Sequence, residues 1–224
     1  MQAGNHSRRE TFKLLGLELD IRATLVVIVS TLLLMVDRYH HFLPGEGYVE
    51  TITAKAVERT VLHLIIPLLI IVLILRDRPS EYGFSFGKWK EGLLWTVGAM
   101  VVLAPILYFA SRTPAMVRFY ASIERSVGHV VSTSALDLLG CEFLFRGFLL
   151  FGLLRVAGPN AVLLQAVPFA LGHLGKPELE TMSALFGGVG FGYVAWRTRS
   201  FVYPWLIHCF VSIFVVLVSM AAAG

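Results

Sequence analysis

Seven apolar stretches organise the chain, near residues 23–36, 57–75, 92–110, 128–154, 160–175, 181–196 and 201–222, with polar and glycine- or proline-bearing segments between them. Each can be extended or tilted to approach the roughly 20 residues that a helix needs to cross a bilayer. The pattern predicts an all-α fold, a polytopic transmembrane helix bundle of seven spans, with eight as the alternative count. Its first two boundaries are the softest, because 23–36 is short and Arg59 and His63 enter the second run early. Pro79, Gly83 and Gly87 mark one loop, and Gly158-Pro159-Asn160 a tight turn between the fourth and fifth runs. No polar stretch is long enough to build a soluble domain. The expected division is a charged N-terminal segment at 1–22, N-terminal transmembrane helices at 23–127 and a core at 128–224.

Composition agrees, with 56% hydrophobic and 15% charged residues and a mean hydropathy of +0.73, so lipid is the solvent for most of the chain. The net charge of +4 comes from basic residues spread between the apolar runs, a signature of topology and not of nucleic-acid binding. Arg8, Arg9, Lys13 and Arg22, then Arg76, Arg78, Lys88 and Lys90, then Arg197 and Arg199 share one side if seven spans are right. They outweigh Arg38, Lys55, Arg112, Arg118, Arg125 and Lys176 opposite, which favours a cytoplasmic N-terminus. The first apolar run ends without a small-residue cleavage site and reads as a retained helix. In the leader, Phe12, Leu14, Leu15, Leu17 and Leu19 interleave with charges, as in an interfacial helix or a solvated tail. Cys141 and Cys209 lie in apolar stretches without the spacing of a disulfide framework or zinc knuckle.

Against that background a few polar residues stand out. The fourth run carries Asp137, Glu142 and Arg146, each costing roughly 2.5–3.5 kcal/mol at mid-membrane on insertion scales, so such residues pair, face the bundle interior and mark function. Glu142 and Arg146 are four apart and share a helical face, where a purely structural ion pair is the plainer reading. His173 closes the fifth run beside a glycine and proline break, and His208 lies in the seventh, one turn before Ser212. Counting 1.5 Å per residue from the ends of their runs, Glu142, His173 and His208 lie about 21, 20 and 12 Å deep, so all three can share a layer. A Glu and two His on three helices suit the activation of water or the holding of a metal. Gly188 and Gly192 have the small-xxx-small spacing that lets helices approach closely. His40, His41, His63 and His129 read as interfacial or core residues.

Cys141-Glu142-Phe-Leu-Phe-Arg146-Gly147, Phe169-Ala-Leu-Gly-His173 and His208-Cys-Phe-Val-Ser212 resemble, in order, the three motifs of a family of intramembrane endopeptidases. This is the CAAX-protease and bacteriocin-processing family (CPBP, or Abi), with Glu-Glu-x-x-x-Arg, Phe-x-x-x-His and His-x-x-x-Asn. Arg197-Thr-Arg-Ser200 occupies the usual linker before the last motif. The resemblance lies after residue 127; earlier residues fit as generic spans. Cys141 stands where the family has its first Glu, commonly credited as the general base, and Ser212 where it has Asn. Glu-Phe-Leu-Phe-Arg-Gly followed by His-Leu-Gly-Lys-Pro is similar to a bacterial branch with one glutamate in the first motif.

The resemblance implies a glutamic-type intramembrane protease, in which Glu142, supported by Arg146, takes a proton from water attacking a peptide carbonyl. His173 and His208 would position that water and stabilise the oxyanion, with Ser212 as a hydroxyl donor. Cys141 and Glu180 are supporting positions, Glu180 and its neighbour Glu178 being loop carboxylates that either supply a missing acid or are simply solvated. The implied partners are membrane lipid and a membrane-associated protein or peptide cut near its terminus, with no nucleic acid and no cofactor, in a bacterial inner membrane. The alternatives are a zinc site using Glu142, His173 and His208 as ligands, a thiol mechanism through Cys141, a proton-coupled transporter and an inactive membrane scaffold. The lack of inverted halves argues against transport.

Overall fold

The computed structural model describes residues 10–121 and 126–224, so Arg8, Arg9 and Arg125, three of the basic residues weighed for orientation, lie outside the described residues. Helix dominates. In chain order come α1 (Ile21–Tyr39), α2 (Tyr48–Thr60), α3 (Ile66–Leu69), α4 (Trp89–Ser111), α5 (Pro114–Tyr120), α6 (Val127–Glu142) and α7 (Leu150–Ala157). They are followed by α8 (Ala161–Leu164), α9 (Ala166–Leu171), α10 (Glu178–Thr198) and α11 (Val202–Ala221). π-helical turns over Val61–Ile65 and Ile70–Ile74 continue α2 and α3 into one rod, and another over Phe143–Leu149 carries α6 into α7.

Four helical runs are long and apolar enough to cross a membrane: Val49–Ile74, Trp89–Ser111, Val127–Leu171 and Val202–Ala221. The third is interrupted at Gly158, whose φ of +55° leads into a short 3-10 turn, where the sequence predicts a tight turn. α1 and α10 are comparable in length but carry Arg22, Asp37 and Arg38, or Glu178, Glu180 and Arg197. Outward faces are apolar: Leu94 and Phe109 of α4 are 74% and 73% exposed, which suits lipid and not water.

The leader differs from both expectations, a helix or a tail. Residues 11–20 form an antiparallel hairpin of β1 (Thr11–Leu14) and β2 (Leu17–Asp20), with Phe12 opposite Leu19 and Leu14 opposite Leu17. Its apolar and charged residues alternate with the period of a strand, and Leu15 and Gly16 take the positive φ values, +50° and +84°, of a tight hairpin turn. Asp20 then caps α1 by accepting from the Ala23 N–H at 2.9 Å.

The α6–α7 rod lies at the centre, with every residue from Phe143 to Leu153 buried. α2 closes one face: at Gly140 an added Cβ would lie 2.5 Å from the Arg59 carbonyl oxygen, so only glycine admits the neighbouring backbone. Around that contact Thr60 Oγ1 donates to the Leu136 carbonyl at 3.1 Å, and Arg59 bridges Asp37 and Asp137, both at 3.0 Å. Arg59 and Asp137 thus each answer a charge in an apolar run. On a second face, Trp205 Nε1 of α11 donates to the Ala135 carbonyl at 3.0 Å. α10 reaches α8 and α9 through Gly188 and Gly192, whose added Cβ atoms would lie 2.9 Å from Phe169 and 2.3 Å from Gln165. The small-xxx-small spacing does pack the helices that carry the polar residues.

Gly140→Ala is expected to destabilise the protein by about 1–3 kcal/mol, since the crowding atom is backbone and cannot yield cheaply. Gly187→Ala, with nothing within 4 Å of its added Cβ, should leave stability level. Thermal unfolding of the two variants in detergent compares them directly, and equal midpoints would contradict the close approach.

Candidate active site

Glu142 ends α6 and Arg146 lies in the π-helical turn that follows; both are completely buried. Arg146 Nη1 donates to Glu142 Oε1 at 3.0 Å, the pairing their spacing predicts. His208 of α11 adds its Nδ1–H to the same oxygen at 2.6 Å. One carboxylate oxygen therefore accepts from two donors, while Oε2 has no protein partner, and neither do Nε and Nη2 of Arg146. Each buried polar atom left unpaired costs about 1–3 kcal/mol. A pair serving structure alone would satisfy them; here the unused hydrogen-bonding capacity faces a closed interior.

Aromatic rings take up part of the guanidinium's demand. Arg146 Cζ stands 3.9 Å from the ring centroid of Phe169, 5.2 Å from Phe191 and 5.6 Å from Phe145, within cation–π range. Phe169 is also the link to both histidines, at 4.7 Å from the His173 ring and 5.7 Å from His208, and Phe191 lies 5.1 Å from His208. His173 lies beyond the end of α9, where its Nδ1–H donates to the Phe169 carbonyl at 2.9 Å and its own carbonyl accepts from Thr181 Oγ1 at 2.9 Å. With Nδ1–H committed in each ring, a neutral His173 or His208 carries its lone pair on Nε2, and a protonated one carries a second N–H there.

The remaining candidates are placed differently. Ser212 Oγ donates to Ser134 Oγ at 3.4 Å, one turn of α11 away from His208 and with no bond to Glu142. Cys141 is a free, half-buried thiol against the core. Glu180 accepts from Lys176 at 2.7 Å and from the Tyr120 hydroxyl, which commits it to clamping the α9–α10 connection, and Glu178 is exposed. Among the described residues no three His, Cys, Asp or Glu side chains group as a metal-holding set. Glu142 Oε1 is committed to Arg146 and His208, and His173 Nδ1 to the Phe169 carbonyl.

One feature escaped the sequence reading. Phe191 walls the guanidinium; its only mark is its place among the α10 glycines, between Gly188 and Gly192. His63, read as an interfacial or core residue, is 3% exposed with both ring nitrogens unpartnered beside Gly140.

A helical membrane protein with a buried Glu–Arg–His cluster at the meeting of α6, α9, α10 and α11 is the class this fold and site define. Residues 124–214 match the family model described as Rce1-like: type II CAAX prenyl endopeptidase Rce1-like. The match covers less than half of the 224 residues but contains Glu142, Arg146, His173, His208 and Ser212, and it bears out the resemblance read from the three motifs. The family points to protease activity of the intramembrane CAAX type. No curated protein and no solved structure matches the chain.

Arg146→Met should destabilise the protein by about 3–5 kcal/mol, because it strands the Glu142 carboxylate in the interior. Combining it with Glu142→Gln should recover a large part of the loss. Denaturation of the single and double variants in detergent measures this, and a double variant no better than Arg146→Met would count against the pair.

Proposed function

We propose that this chain is a glutamic-type intramembrane endopeptidase that hydrolyses a peptide bond near the terminus of a membrane-associated protein or peptide. The observation that carries the reading is the division of labour on one buried carboxylate: Oε1 is held by Arg146 and His208, and Oε2 is left without a partner. A carboxylate fixed in this way is oriented for proton transfer by the groups on one oxygen while the other accepts from water.

In this reading Glu142 Oε2 takes the proton of the attacking water and returns it to the leaving amine nitrogen as the C–N bond breaks, and Arg146 holds the carboxylate in register beforehand. His173 and His208 present Nε2 to the attacking water and the carbonyl oxygen, positioning the one and stabilising the oxyanion that forms on the other. Phe169 and Phe191 exclude bulk water, which strengthens each of these interactions. Ser212 is a hydroxyl one turn away, and Cys141 takes no part in proton transfer. No cofactor is required. The catalytic core is residues 128–224, in a bundle of seven spans that includes α1 and α10, with the N-terminus cytoplasmic and a bacterial inner membrane as the setting. Departures at Cys141 and Ser212 favour one competing reading, an inactive relative that binds membrane peptides.

The experiment is cleavage of a fluorogenic peptide library bearing apolar anchors by the purified protein in proteoliposomes. The wild type should cleave a subset, Glu142→Gln and His208→Ala should fall to a common residual rate, and His173→Ala should lose about 10²–10⁴-fold, the weight of a positioned proton donor or acceptor. Matching melting temperatures would show that the variants fold. Retained cleavage by Glu142→Gln removes Glu142 from its role, and no cleavage by any form supports the scaffold.

A further inference from the structure

At the end of the bundle where Val49–Ile74 stops and Trp89–Ser111 begins, basic and aromatic residues gather away from Glu142. Arg76, Arg78 and Arg199 are exposed there, and Phe86 and Trp89 are 73% and 55% exposed, as an interfacial belt would be. Arg22 and Arg155 bracket Asp77, which also accepts from the Tyr82 hydroxyl at 3.0 Å. Burial, then the Asp77 charge, pushes the Tyr82 phenol up, so it stays a neutral donor. Beside this cluster a cavity of about 210 Å³ is lined by Glu81, Phe151, Leu154, Arg155 and Arg199.

Arg199 is the unusual member. It ends α10 in the left-handed conformation, φ +59°, a position that favours glycine. The backbone around it is locked: Lys88 N–H donates to the Thr198 carbonyl at 2.8 Å, Ser85 Oγ donates to the Arg199 carbonyl at 3.3 Å, and Phe201 N–H donates to the Gly83 carbonyl at 3.2 Å. Its guanidinium lies 5.2 Å over the Phe151 ring and pairs with no carboxylate among the described residues. Strain of this kind persists where the surroundings over-determine it and points to use. Across the cavity Arg155 meets Glu81 at 2.8 Å, a half-exposed carboxylate that a stronger anion could displace.

We propose that Arg155 and Arg199 form a binding site for the phosphate of an anionic phospholipid headgroup. Two guanidinium groups at the rim match phosphate geometry. Phe151 and Leu154 give the cavity an apolar floor, and it opens where membrane-length helices end, so the ligand is an amphiphile and not a free anion. Basic pockets between helices at this level are the usual form of headgroup recognition.

Native mass spectrometry of the full-length protein from mixed micelles of phosphatidylglycerol and phosphatidylcholine tests this. The wild type should retain phosphatidylglycerol in preference. Arg199→Asn, which removes the charge yet tolerates the left-handed backbone, should lose about fivefold of that preference, the weight of one basic residue at an anionic surface. Arg199→Lys should keep most of it, and millimolar inorganic phosphate should not compete. Equal retention by the wild type and by an Arg199→Asn variant of unchanged melting temperature would overturn the site, and displacement of the lipid by inorganic phosphate would overturn the lipid assignment.

Discussion

A carboxylate and a guanidinium completely withdrawn from solvent cannot be tolerated singly, and the Glu142–Arg146 pair constrains everything packed around it. Desolvating two charges costs several kcal/mol per ion, which their attraction offsets only when geometry is fixed and neighbours help. The fold supplies that help from three directions. His208 comes from α11 to share Oε1, Phe169 from α9 covers the guanidinium, and Phe191 from α10 closes the remaining side. The approach of α10 that makes this possible depends on Gly188 and Gly192, and the seating of α6 against α2 on Gly140. A second ion network, Asp37–Arg59–Asp137, ties α1 and α2 to the same helix from the opposite side.

Much of this was legible because charge in an apolar run is expensive and therefore informative. Glu142 and Arg146 at i,i+4, with His208 on another run, were readable as a cluster, and the pairing distance confirms the helical spacing. Counting along the helices allowed Glu142 and His208 to share a layer, and the two are in contact. The hairpin at 11–20 went unread because five apolar residues among charges fit a helix or a tail as readily as a strand, and the deciding turn at Leu15-Gly16 lacks the usual Asn-Gly or Asp-Gly. Phe191 was hidden for another reason. An apolar residue in an apolar helix carries no signal until the neighbouring helix shows which face it covers.

The departures at Cys141 and Ser212 take on a physical meaning once the neighbours are known. Cys141 is a half-buried free thiol beside Glu142, and Ser212 donates its hydroxyl to Ser134 at 3.4 Å. In the proposed mechanism the proton chemistry then falls to Glu142 alone, with His208 bonded to it. The two are predicted to work as a unit and not as independent contributors, since removing either leaves the other misoriented.

That coupling is the most direct test of the account. Single-turnover cleavage rates of Glu142→Gln, His208→Gln and the double variant, on a substrate the wild type cleaves, form the cycle. The account predicts that all three fall to the same residual rate, because the first substitution already dismantles the unit. Losses that multiply in the double variant would show that Glu142 and His208 act separately, and would contradict it.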